Sequence, residues 1–199
     1  MHDTAFLNAK LFFDSYVNKK PNTKILDVGS SGLNENIPVL RSLKREDAEY
    51  IGMDLENGPN VDIILTDVFN FPFPDNTFDF VVSTSCFEHD EFFWMTYLEI
   101  MRVLKPNGLF YLNSPSDGVY HTYPVDCWRF FPDSGKALAK WGKRNGFVNN
   151  EVVENYTHKP ISDIWNDYVC VFIKDVNYLG QYNDRMSYHT SHYNHRYVR

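Results

Sequence analysis

Cysteine is scarce in this chain. Its three residues, Cys86, Cys127 and Cys170, are odd in number and far apart, which excludes a disulfide framework and matches no zinc-ligand spacing. Long apolar runs are missing too: none approaches the roughly 20 residues of a membrane span, and Met1-His2-Asp3 does not open a signal peptide. A soluble, cytoplasmic protein is the simplest expectation. Positive charge is also short. The net charge is -7 and the pI about 5.4, and basic residues bunch nowhere, so there is no footprint for the phosphate backbone of a nucleic acid. What is abundant is apolar and aromatic surface, 43% and 17% of 199 residues, enough for a packed core and against wholesale disorder.

Glycine is sparing even where the chain turns most sharply. Lys24-Ile25-Leu26 runs into Asp27-Val28-Gly29-Ser30-Ser31-Gly32, which reads as a buried strand ending in an acid and breaking into a small turn. A strand, a tight turn and a following helix bring bare backbone close to a ligand at the carboxyl edge of a sheet. A pyrophosphate binder wants G-x-G-x-x-G at the helix start, and only Gly29 and Gly32 are present. An acid before the turn repels a diphosphate and suits a cationic amino-acid moiety. The ligand this implies is a positively charged nucleoside such as S-adenosylmethionine.

The remaining pattern alternates. Phe6, Ala9, Phe13 and Val17 recur at helical spacing behind Thr4, a candidate N-cap. Strands are expected at Lys24–Val28, Tyr50–Met53, Val61–Leu65, Phe78–Ser83 and Leu109–Asn113, and two more at Phe147–Tyr156 and Asp167–Lys174. Helices are expected over Asn34–Lys44, from Asp90 or Glu91 to Leu104, and from Pro132 to Asn145-Gly146. Short strands alternating with helices make an α/β fold, a mostly parallel sheet with helices on both faces. No second-domain boundary is visible across 1–174. From 175 to 199 Tyr, Asn, His and Arg replace apolar periodicity, which reads as a polar tail, loosely ordered or docked on a partner chain. His189, His192 and His195 fall three apart, but a polar tail accounts for them better than a metal site, and no metal is expected.

With these residues laid out, the chain resembles the class I S-adenosylmethionine-dependent methyltransferases, type 11-like, from the first strand to about Lys174. Ile25 to Gly32 resembles their first motif, with Ser31 and Leu33 standing where the second and third glycines usually are. Tyr50 to Asp54 resembles the second motif, Pro74 to Val82 the approach to strand four, Cys86-Phe87-Glu88-His89 the Leu-Glu-His motif after it, and Arg102 to Gly108 the turn before strand five. Five weak motifs in correct order make a strong one. The resemblance implies a Rossmann-like, doubly wound, seven-stranded sheet of order 3-2-1-4-5-7-6 with strand 7 antiparallel. It also implies S-adenosyl-L-methionine as cofactor and methyl transfer as the reaction.

Each motif then carries an expected role. Asp27 holds the ammonium group of the cofactor, and Gly29, Ser30, Ser31 and Gly32 line its methionine portion. Asp54, about 20 residues past the glycine turn, bonds the ribose hydroxyls. Leu55 walls the adenine, Asp67 and Val68 lie at its edge, and Ser85 and Cys86 border the sulfonium. The donor is already activated, so the protein mainly aligns acceptor and methyl; an oxygen acceptor also benefits from a base, for which His89, His121 and Asp126 are the candidates. The loop from His121 to Pro132 is dense in aromatics, and Trp128 and Arg129 either meet an acceptor or anchor the loop itself through an Asp126–Arg129 pair. The expected partner is a small-molecule acceptor, sugar-like or phenolic and so a candidate glycan or glycan precursor; a homodimer is compatible with this. Two other functions compete: a methyltransferase-like binding or partner subunit without turnover, and a dinucleotide oxidoreductase. Base-amine methylation of nucleic acid is disfavoured, because Ser83-Thr84-Ser85-Cys86 stands where an Asn/Asp-Pro-Pro-aromatic motif is needed.

Overall fold

A computed structural model describes residues 3–32, 39–158 and 165–199. Its centre is one eight-stranded sheet. In chain order the strands are β1 (Lys24–Val28), β2 (Glu49–Asp54), β3 (Ile63–Ile64), β4 (Phe78–Thr84), β5 (Leu104–Asp117), β6 (Glu151–His158), β7 (Asn166–Ile173) and β8 (Tyr193–Val198). The helices are α1 (Asp3–Ser15), α2 (Phe93–Val103) and α3 (Ser134–Arg144). The strand order is β3-β2-β1-β4-β5-β7-β6-β8. Strands β1 to β5 pair in parallel, and β7 runs antiparallel to both β5 and β6. The Rossmann-like order implied by the resemblance is therefore present, with one strand added at its end.

Alternation along each strand sorts the core into two layers. Leu26, Val81, Phe110, Leu112, Tyr168 and Phe172 face one side, where Tyr97 and Ile100 of α2 and Leu138 of α3 meet them. Their sequence neighbours Ile25, Phe80, Val82, Tyr111, Val169 and Val171 face the other, against Ala9, Phe12 and Phe13 of α1. Central strands are buried on both faces, which is why they read as unbroken apolar runs. The parallel strands β1, β2, β4 and β5 thus deliver their carboxyl ends to one rim.

Several local expectations need correction. Thr4 lies within α1 and is buried, and its hydroxyl donates to Asp167 Oδ2 at 2.5 Å instead of capping the helix. The buried face of α1 runs through Ala5, Ala9, Phe12 and Phe13, leaving Phe6 half-buried. The helix expected over Asn34–Lys44 falls partly outside the described residues; its end is a 3-10 turn, Leu40–Leu43. β3 shrinks to two residues because Asp62 turns its carboxylate onto the Gly52 amide, at 2.7 Å, and onto Arg41. β5 begins directly where α2 stops, at Leu104.

The segment expected as a loose polar tail packs on its own chain. Val176–Gln181 and Met186–Tyr188 form 3-10 turns, and β8 pairs antiparallel with β6. The anchor is Glu154 of β6, fully buried. Its carboxylate accepts from Tyr16 Oη at 2.5 Å, the Met186 amide at 2.9 Å, the Ser187 amide at 3.1 Å and Ser187 Oγ at 2.7 Å. Hydrogen bonds to a buried charge are strong only while every partner is in place. Glu154→Ala orphans four donors at once and is expected to destabilise the protein by roughly 3 kcal/mol or more in urea unfolding; a loss below 1 kcal/mol would show that the tail does not depend on this carboxylate.

Candidate functional site at the carboxyl rim

The rim is built around a close approach of two turns. After β1 the chain enters Gly29 at φ 80°, a backbone region that disfavours side chains. A Cβ there would stand 2.5 Å from Cys86 Sγ and 2.6 Å from Cys86 Cβ, so glycine is required for the β1 turn to nest against the β4 turn. Ser85 completes the second turn at φ 52°, its amide bonded to Asn113 O at 2.9 Å. The Gly29 and Ser30 amides both donate to Met53 O, at 2.9 and 3.2 Å, which ties the first turn to β2.

Two acids stand at this junction. Asp54 Oδ2 accepts the Ser31 amide at 2.8 Å and its Oδ1 the Leu55 amide at 2.7 Å. Asp27 is buried, accepts Tyr50 Oη at 2.6 Å, and feels the Asp54 charge. Burial pushes its carboxyl up to about 7, against the opposing pull of the Tyr50 hydroxyl. The structure therefore brings together Asp27, Gly29, Ser30, Ser31, Asp54, Leu55, Ser85 and Cys86. Gly32 continues from them, and Leu33 lies outside the described residues. Leu55 is 57% exposed, an apolar side chain beside the acids with nothing covering it. Burial drives the Cys86 thiol well above its ordinary range, which suits an apolar wall and not a nucleophile. Asp67, beyond β3, closes its own turn by accepting the Phe69 amide at 3.0 Å, and Val68 is half-buried beside it.

The three candidate bases also meet, but with unequal freedom. His89 and His121 lie edge to face, ring centroids 4.9 Å apart, with Tyr123 6.0 Å from His89 and Trp165 4.8 Å from His121. His89 Nδ1 is 2.5 Å from Val125 O, and burial lowers its pKa, so the ring is held neutral with Nδ1 as donor and Nε2 bare. Asp126 is gripped by Arg129 at 2.6 and 2.8 Å and by the His121 amide at 2.8 Å, and Arg129 pulls its pKa down to about 2. A carboxylate so committed makes a poor base; it anchors the loop. Trp128 is likewise packed on Phe93 and Trp94, and its indole donates to Asp90 O at 3.0 Å. The anchoring alternative for this loop is the one the geometry supports.

Sequence reasoning gave no role to Tyr50 or Glu88. Tyr50 belonged to an apolar strand, and only pairing with β1 turns its hydroxyl onto Asp27. Glu88 carried a signal as the acid of the Glu-His pair. It is 1% exposed, and burial raises its carboxyl to about 7 despite the favourable neighbouring Ser114 hydroxyl. Its backbone carbonyl accepts the Cys127 and Trp128 amides, at 2.8 and 3.2 Å, stitching the aromatic loop to the β4 turn.

The chain is similar to known proteins in sequence and in fold. Residues 26–112 match the methyltransferase domain family. That match runs from β1 into β5 and, with the relatives that follow, supports a class I S-adenosylmethionine-dependent methyltransferase. A curated relative, sterol 24-C-methyltransferase ERG6B of Gibberella zeae, is 27% identical over 141 residues, covering 63% of this chain and 34% of that protein. The chain thus spans about a third of that relative's length. Among solved structures, the 1,6-didemethyltoxoflavin-N1-methyltransferase of Burkholderia thailandensis superposes with a TM-score of 0.64 at 15% identity, covering 86% of this chain and 78% of the other. The YcgJ protein of Bacillus subtilis gives 0.62 at 13%, covering 85% and 99%. Identities this low show a common fold.

Two measurements test the rim. An unfolded Asp titrates near ~4, so a folded pKa about 7 means the native state holds the Asp27 proton more tightly. Its stabilising effect is complete below about pH 4 and is lost as pH rises toward 7. Asp27→Asn is therefore expected to raise the melting temperature by about 3–8 °C at pH 8 and not at pH 4; no gain at pH 8 would place the charge elsewhere. Gly29→Ala should lower it at both pH values, by roughly 5 °C or more, because the Cys86 contact and the positive φ do not titrate.

Proposed function

We propose that this chain transfers the methyl group of S-adenosyl-L-methionine to an oxygen of a small-molecule acceptor, sugar-like or phenolic in character. One observation carries the reading: two carboxylates, Asp27 and Asp54, end adjacent parallel strands and flank a turn whose first residue must be glycine. Asp27 meets the ammonium of the cofactor, and Asp54, whose carboxylate keeps acceptor capacity beyond its two amide bonds, meets the ribose hydroxyls. Gly29, Ser30, Ser31 and Gly32 run beside the methionine portion. Leu55 covers one adenine face, with Asp67 and Val68 at its edge, and Ser85 and Cys86 border the sulfonium.

The mechanism follows from the ligand's own reactivity. Bound here, S-adenosylmethionine would supply an activated methyl group for in-line attack by the acceptor oxygen, with the carbon–sulfur electron pair returning to sulfur. The chain's task is alignment, exclusion of water and acceptance of a proton. His89 supplies the unprotonated nitrogen for this, held in one tautomer by Val125. His121 stands against it, and Asp126 positions His121. Rings of Tyr123 and Trp165 around these histidines suit the face of a phenol or a pyranose. Relatives whose names specify carbon and nitrogen acceptors leave oxygen as this chain's own proposal, motivated by the need for a base.

Calorimetry with S-adenosylmethionine and its demethylated product tests the reading without knowledge of the acceptor. Binding of both is expected, weakened at least tenfold by Asp54→Asn. Because burial holds Asp27 near pKa 7, affinity should rise up to tenfold per pH unit as pH climbs toward 7 and the carboxylate forms, and Asp27→Asn should flatten that profile. Binding of neither compound would leave a methyltransferase fold serving as a partner subunit.

A further inference from the structure

Glu88, His89 and His121 present one ligand atom each, all within 4.8 Å of one another, and among the described residues they are the sole group of this kind. The spacing between His89 Nε2 and Glu88 Oε1 is 3.7 Å. Ligands at about 2.1 Å from a zinc-sized ion stand roughly 3.4 Å apart, so closing this cluster needs side-chain adjustments of about 1 Å.

The surroundings are those that a metal site needs. His89 Nδ1 is engaged by Val125 O at 2.5 Å, and His121 Nδ1 lies 3.1 Å from Val119 O and 3.3 Å from Asp126 Oδ2. In both rings Nδ1 lies against an oxygen acceptor, and an Nδ1 that donates there would leave Nε2 to bind an ion. A carbonyl or carboxylate on the far nitrogen is what orients metal-binding imidazoles and raises their basicity. Asp126 is fixed in turn by Arg129. The third member gives a further sign: Glu88 is 1% exposed, and among the described residues its Oε2 completes no hydrogen bond, the neighbouring Ser114 hydroxyl being left without one as well. A buried carboxylate oxygen without a partner is costly and calls for a cation or a proton.

We propose that Glu88, His89 and His121 bind one divalent transition-metal ion of the zinc or iron(II) class. Two imidazoles and one carboxylate are a borderline-soft set that selects against magnesium and calcium and leaves open positions. The catalytic consequence rests on the methyltransferase reading, although the binding does not. An acceptor hydroxyl on an open position is acidified by the ion and loses its proton to solvent. The resulting oxygen bonds to the methyl carbon as the carbon–sulfur bond breaks, leaving the thioether. Under that arrangement the His89 lone pair serves the ion, and the ion replaces the base.

Tag-free full-length protein, stripped with chelator, is titrated with zinc by calorimetry and with cobalt(II) by visible absorption. One ion per chain is expected, with cobalt bands of a low-symmetry nitrogen–oxygen site and no competition from millimolar magnesium. His121→Ala, His89→Ala and Glu88→Gln should each weaken binding at least tenfold. Substitution of both His192 and His195 in the tail should leave it unchanged. Thermal melts of the chelated variants show that they are folded, and His121→Gln serves if His121→Ala is not. Equal zinc affinity in the wild type and the three site variants overturns the proposal. So does a cobalt spectrum that disappears only with the tail substitutions, or no saturation below about 100 μM. Binding of S-adenosylmethionine to the chelated protein is scored separately: its loss would count against the methyltransferase reading and leave the metal site standing.

Discussion

Everything at the carboxyl rim depends on the absence of one carbon atom. The β1 turn and the β4 turn touch at Gly29 and Cys86, closer than any side chain on residue 29 allows. This contact sets the depth of the turn and lets its amides reach Met53 O. It leaves Ser31 bonded to the Asp54 carboxylate. The Cys86 turn leads in two residues to Glu88, whose carbonyl holds the aromatic loop. The glycine turn after β1 and the aromatic loop are thus joined through the β4 turn.

Charge is arranged at the expense of stability in the same place. Asp27 and Glu88 are both carboxyls drawn from water, both raised to about 7, and neither has a basic partner bonded to it. By contrast, Asp126 and Glu154, whose roles are structural, are surrounded by donors. Buried carboxyls with raised pKa and no basic partner mark candidate ligand sites. Carboxyls that hold the fold are satisfied from within.

The tail illustrates how composition misleads. Residues 175–199 lack apolar periodicity, yet they close the sheet with β8 and cap the buried Glu154 through Met186 and Ser187. An edge strand with one solvent face needs no apolar run, and hydrogen bonds to a remote carboxylate leave no local trace. The aromatic loop left two readings open, and the structure has the anchored one: Trp128 packs on Phe93 and Trp94, and Arg129 pairs with Asp126.

By itself the sequence determined the α/β class, the places of six of the eight strands to within a few residues, and the glycine turn with its two acids. These are local properties: apolar runs, turn residues and the chemistry of adjacent side chains. The strand order came from resemblance, since nothing local encodes which strand pairs with which. The Asp126–Arg129 pair, three positions apart, was legible locally as an alternative, and the structure contains it. Only the tertiary structure decided that Tyr50 binds Asp27 and that His89 and His121 face each other beside Glu88, contacts between residues 23 and 32 positions apart along the chain. Packing sets such distances, and no spacing rule in a one-dimensional text can supply them.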